Sequence, residues 1–130
     1  MKTRILLVED DPNIRDLLRK ILGHKPFEFC EAANSEEDLR QLDKGHVDLI
    51  MCDLVMPGEG GLTFIERKNS QPAFASIPVI MVTSEGTNDT RQQAEKLGVE
   101  LWLVKPFKKQ AAIAIVDLAL EKYLHIRKQA

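Results

Sequence analysis

Apolar residues run along this chain in two alternating rhythms. Short, mainly apolar runs at Arg4–Glu9, Phe27–Ala32, Val47–Asp53, Ile77–Val82 and Glu100–Val104 predict strands. The first, Arg4–Glu9, is continuous and too apolar to have one wet face, as expected of a strand covered on both sides. Between and after them, apolar residues recur at helical spacing. Asp11-Pro12 reads as an N-cap followed by proline at the first helical position, where no N–H is missed. Ile14, Leu17, Leu18, Ile21 and Leu22 form the stripe behind it, and Gly23 ends the run. Ser35-Glu36-Glu37-Asp38 resembles a capping box ahead of Leu39 and Leu42, with Gly45 as the stop. Pro57, Gly58 and Gly60-Gly61 predict a loop of flexible backbone, and Leu62, Phe64 and Ile65 begin a helix that fades by Asn69. Pro78 stands at the entry to a strand, where a missing donor is tolerated. Thr90–Leu97 predicts a short polar helix stopped by Gly98. Lys108–Ile126 predicts a longer one, with Ala112, Ile115, Val116, Ala119, Leu120 and Tyr123 facing inward.

Five strand–helix units of this length imply an α/β fold: a parallel sheet with right-handed crossovers and helices on both faces. At 130 residues the chain is expected to be one domain, 1–130, with no output domain. The net charge of −2 gives no general attraction to nucleic acid or anionic membrane. The charge is uneven, at −5 over residues 1–86 and +3 over 87–130. Solvated helix faces account for this; a mildly basic partner-binding face is the alternative. No apolar run approaches the ~20 residues of a spanning helix. Cys30 and Cys52 lack metal-ligand spacing and read as buried thiols of a reducing, cytoplasmic compartment. His24, His46 and His125 are isolated.

The candidate chemistry lies where the strands end: Glu9-Asp10-Asp11, Asp53, Thr83-Ser84 and Lys105-Pro106. In a parallel sheet the carboxyl ends share one edge, where open α/β sheets build their sites. Each residue also has a plainer reading. Asp11 caps a helix, Asp53 starts an Asx-turn, Thr83 is a turn hydroxyl and Lys105 a surface lysine. Gathered together, the carboxylates, hydroxyl and ammonium would suit a divalent cation and an oxyanion.

The segments L-L-V-E-D-D-P, D-L-V-M-P-G-E-G-G, M-V-T-S and V-K-P-F resemble the four signatures of response-regulator receiver domains, in order and across essentially the whole chain. The resemblance, closest to single-domain chemotaxis regulators, implies a flavodoxin-like five-stranded sheet of order 2-1-3-4-5. It implies that Asp53 accepts a phosphoryl group from a phosphohistidine of a sensor histidine kinase or phosphotransfer protein. Mg²⁺, with Mn²⁺ as a substitute, would be held by Asp10 and Asp53, by Glu9 through water, and by the Val55 backbone carbonyl. Thr83 and Lys105 would take phosphoryl oxygens. Such a protein turns over no external substrate and catalyses only its own phosphorylation and dephosphorylation.

The family pattern further implies a switch in which Thr83 moves toward the phosphoryl group and Trp102 turns inward. A static half-buried aromatic is the plainer reading of Trp102. The surface reshaped would be Thr90–Leu97, Glu100–Val104 and Lys108–Ile126, open to an unknown downstream protein or to a phosphorylation-dependent dimer. Lys105-Pro106 would be a cis peptide by resemblance, and an ordinary trans turn by base rates. Val55 stands where many members carry a polar side chain, and Glu85 lies two residues after Thr83. Val55 can hold no attacking water and Glu85 would either orient or repel one, so self-dephosphorylation is expected to be modest to slow, while Ser84 keeps the pocket open.

Three rival readings remain. A haloacid-dehalogenase-type phosphatase would need a second acid where Val55 stands. A nucleotide or flavin binder would need a Gly- or Ser/Thr-rich loop in place of Glu9-Asp10-Asp11-Pro12. A receiver segment of a longer transcription factor or hybrid kinase is the third, with a free-standing regulator preferred.

Overall fold

The computed structural model describes residues 2–33, 40–42, 44–55, 60–84 and 88–129, with side chains excepted at 88 and 123–129. The expected capping box at Ser35–Asp38, Leu39, Pro57, Gly58 and Glu85 lie outside the described residues, as do the side chains of Tyr123 and His125. The elements are β1 (Arg4–Val8), α1 (Pro12–Leu22), β2 (Glu28–Ala32), β3 (Leu49–Cys52), α2 (Gly60–Asn69), β4 (Val79–Thr83), α3 (Asn88–Lys96), β5 (Leu101–Val104) and α4 (Lys109–Gln129). All five strands are parallel, in the order β2-β1-β3-β4-β5. This is the flavodoxin-like arrangement, with β1 and β3 side by side at its centre.

Alternation along each strand divides the core into two layers. Leu6 and Val8 of β1 face Ile50, Cys52, Phe64, Ile65 and Met81, beneath α2 and α3. Ile5 and Leu7 face Leu18, Leu22, Leu49, Met51 and Val116, beneath α1 and α4. A fully buried side chain such as Phe64 contributes about 1.5–3 kcal/mol. Cys30 and Cys52 are buried free thiols. Among the described residues no helix is long and apolar enough to cross a membrane.

Local chemistry explains the element ends. The Asp11 side chain accepts from the Asn13 N–H at 2.9 Å, so it caps α1. Past α3, Gly98 has φ +93°. Its N–H donates to the Glu95 carbonyl, and the Val99 N–H donates to Ala94, both at 3.0 Å, a Schellman closure that glycine makes without strain. Gly23 differs: it ends α1 in right-handed conformation. β3 begins two residues later than expected: Asp48 still donates its N–H to the Arg4 carbonyl at 2.8 Å, but the Arg4 N–H goes to the Asp48 carboxylate at 2.9 Å and not to a backbone carbonyl. β4 starts at Val79, since Pro78 has no N–H and serves the ladder only by accepting from Ile50. Leu17, expected in the buried stripe of α1, is 43% exposed, and the core falls to Leu18, Ile21 and Leu22.

Candidate functional site

β1 and β3 are paired with Val8 opposite Cys52, so Glu9 and Asp53 leave the sheet at the same height. The Asp53 N–H donates to the Val8 carbonyl at 2.9 Å, and the Glu9 N–H donates to Ala32 at 3.1 Å. Both backbones stay pinned to the sheet one residue past their strands. Asp10 follows at the exposed rim. One carboxylate oxygen from each of Glu9, Asp10 and Asp53 lies within 4.8 Å of the others. Asp11 is turned away into the α1 cap and is not in this group.

Lys105 follows β5 and reaches back across the edge. Its Nζ donates to Glu9 Oε1 at 2.5 Å and to Asp53 Oδ2 at 3.0 Å. The other Asp53 oxygen, Oδ1, accepts from the Val55 N–H at 3.1 Å. Both oxygens of the carboxylate are therefore held, and Asp53 is only 7% exposed. The Lys105-Pro106 peptide bond is cis. Thr83 closes β4 opposite Val104, is buried, and accepts the Lys105 N–H on its own carbonyl at 3.0 Å. Ser84 beside it is exposed, as is the Val55 side chain.

Burial dominates the electrostatics. It raises the Glu9 carboxyl from its ordinary range to about 7; Asp53 adds to the rise and the Lys105 ammonium opposes it. Burial also works to lower Lys105, but its hydrogen bonds to Glu9 and Asp53 outweigh that and hold the ammonium above its ordinary value. The lysine is a fixed charge shared by two carboxylates.

Three further residues serve the site without having been singled out from sequence. Arg15, one turn into α1, donates from Nη1 to the Glu9 carbonyl at 2.9 Å, while its Nε lies 3.4 Å from Glu31. Gly61, expected to lend flexibility, supplies close approach instead. A Cβ there would sit 2.4 Å from the Asp53 carbonyl oxygen, and its N–H donates to Leu54 at 3.0 Å. Any larger residue would push on the strand end that carries Asp53. Arg91 of α3 places its guanidinium 4.9 Å from the ring centre of Trp102, which packs half-buried against the α2–α3 layer. The glycine pair after D-L-V-M-P was the available signal for Gly61. Arg15 and Arg91 lie on helix faces that periodicity assigns only to solvent.

Three oxygen-bearing side chains, a cation and a buried hydroxyl residue thus meet at one sheet edge. Hard oxygen donors at this spacing match magnesium or manganese better than a thiolate- or imidazole-binding metal. The comparisons agree with this setting. Over 122 residues the chain is 30% identical to the phosphate regulon transcriptional regulatory protein PhoB of Escherichia coli, covering 94% of this chain and 53% of that protein. Over 121 residues it is 32% identical to the transcriptional regulatory protein ResD of Bacillus subtilis, covering 93% and 49%. The chain therefore spans about half the length of these curated relatives. Among solved structures, the chemotaxis protein CheY4 of Vibrio cholerae is 28% identical with a TM-score of 0.86, over 92% of this chain and 100% of that one. The signal receiver domain of an HD domain-containing protein from Pseudomonas fluorescens is 25% identical with a TM-score of 0.89, over 96% and 99%. The family model for the response regulator receiver domain matches residues 5–117. On this evidence the chain belongs to the response regulator receiver domain family.

Proposed function

We propose that Asp53 is the phosphoacceptor of a phosphorelay and that its phosphoryl donor is a phosphohistidine on a sensor kinase or phosphotransfer protein. One observation carries the reading. Asp53 is held at both carboxylate oxygens, 3.0 Å from an ammonium and within a cluster of three carboxylates.

The residues divide the work by charge. A carboxylate and a phosphoryl donor repel, so transfer requires positioning and neutralisation of charge spread over three equatorial oxygens. Glu9, Asp10 and Asp53, with the Val55 carbonyl, would hold magnesium, which when bound supplies positive charge against those oxygens. The Asp53 carboxylate attacks phosphorus in line; the P–N bond breaks, and its electron pair leaves on the imidazole nitrogen. Lys105 is already beside the acceptor and pairs with one phosphoryl oxygen, while the Thr83 hydroxyl donates to another. No acid follows Asp53 at the second position, where the residue is an exposed Val55. The second acid that a phosphatase of external esters would use as general acid and base is therefore replaced by an apolar side chain, which favours a chain that acts on its own aspartyl phosphate.

Phosphorylation would then move Thr83 and Trp102 and reshape the α3–β5–α4 surface for a downstream protein. Intact mass after incubation with magnesium and acetyl phosphate tests the acceptor. One added phosphoryl group on the wild type and none on Asp53→Ala is expected; equal labelling of both removes Asp53 from the role.

A further inference from the structure

At the opposite edge of the sheet from Asp53, a cleft of about 230 Å³ opens between the end of α2, the approach to β4, the Leu97–Glu100 turn and α4. Ile65, Ile77, Leu97 and Val99 give it apolar walls, and Ser76 lies at an exposed lip. Lys68 also lines it, although it is only 2% exposed. Its Nζ donates to Asn69 Oδ1 at 2.8 Å and to the Ala75 carbonyl at 3.0 Å, and both acceptors belong to lining residues. One of the three ammonium hydrogens is left over. Among the described residues no carboxylate pairs with this ammonium. The other cation of the lining, Lys122, is already engaged with Glu100.

A buried charge without a counter-charge is costly unless an anion meets it. Burial alone lowers the Lys68 ammonium to about 8, the direction expected of a cation that lacks such a partner. Neither the phosphoacceptor site nor the Trp102 surface uses this residue. We propose that the cleft binds a small monocarboxylate with an apolar body, its head on Lys68 and its hydrocarbon against Ile65, Ile77, Leu97 and Val99. Size agrees: an apolar cavity of roughly 150 Å³ admits benzene, so this one takes a body of about six carbons and a carboxylate. The apolar walls disfavour phosphate or sulfate, whose remaining oxygens would find few donors there.

Titrating the intact chain with hexanoate and with hexanol at neutral pH, followed by amide NMR, tests the proposal. Hexanoate should saturate in the roughly millimolar range and bind about tenfold tighter than hexanol. The shifted amides should fall in Ile65–Asn69 and Leu97–Leu101. Lys68→Met should erase the preference for the carboxylate, and Ser76→Phe, at the exposed lip, should weaken both ligands. Failure to saturate, equal affinity for the two probes, or an unchanged preference in Lys68→Met overturns it. Undiminished hexanoate binding in Ser76→Phe does so as well, and that variant leaves the buried core untouched.

Discussion

Lys105 stands between Glu9 and Asp53, and its removal should show what it does there. In Lys105→Met two buried carboxylates lose their shared cation, which should lower stability in the absence of metal by about 2 kcal/mol. The same change removes a positive charge from the place where magnesium is to bind, so magnesium should bind roughly tenfold tighter and raise the melting temperature more than in wild type. Melting curves with and without magnesium check both; a variant that gains less from magnesium than wild type would contradict the assignment. Val55 sets the opposite property. Its exposed side chain cannot hold an attacking water, so Val55→Asn should shorten the aspartyl-phosphate lifetime by about tenfold, read by the decay of added mass. At this scale the sequence is partly legible. Asp11-Pro12 announced a cap because the signal is local. The Lys105–Glu9 contact joins residues 96 positions apart and had no local signature.

Elements were recovered better than their limits. The central strands β1, β3 and β4 were visible as apolar runs because both faces are covered, but the starts of β3 and β4 lie at Asp48 and Pro78, whose hydrogen bonding no run of hydrophobicity records. Helix α2 carries the clearest thermodynamic prediction. Lys68 is protonated up to about 8 in the folded chain and up to about 10.5 when unfolded. Between these values the unfolded chain binds more protons, so stability attributable to this group rises with pH, and its penalty is complete below the window. That penalty is at most about 3.4 kcal/mol, and the two hydrogen bonds from the charged donor, at about 1.5–3 kcal/mol each, offset most or all of it. Lys68→Met should therefore lie close to wild type in stability at neutral pH, and should lose ground to wild type as pH climbs through the window. Urea denaturation at several pH values measures this, and a difference that is flat with pH would refute the assignment.

For the whole molecule, alternation of strand and helix predicts a parallel sheet, but the order of strands came from resemblance to a family, since local pattern does not say which strands are neighbours. The switch also belongs to this scale. Driving a population from about 1:99 to 99:1 takes about 5.5 kcal/mol. One hydrogen bond from Thr83 to a charged group gives about 1.5–3 kcal/mol, so Lys105, the metal and repacking of α3 must share the work. Trp102, the one tryptophan, reports on this: its emission should shift when magnesium and acetyl phosphate are added. Arg91→Ala, which removes a cation–π contact worth about 0.5–1 kcal/mol, should make that shift easier to induce. Emission indifferent to phosphorylation would leave Trp102 a static part of the packing.

The pairing of Val8 with Cys52 has a consequence for how this chain can vary. Side chains change faces at every step along a strand, so deleting a single residue from Leu49–Cys52 would send the acceptor carboxylate to the far side of the sheet or drag β3 out of step with both neighbours. Loops can lengthen or shorten at little penalty. Over evolutionary time, gaps and insertions should accumulate between these strands and be purged from within them, so β1 and β3 act as the ruler against which the reacting groups are measured.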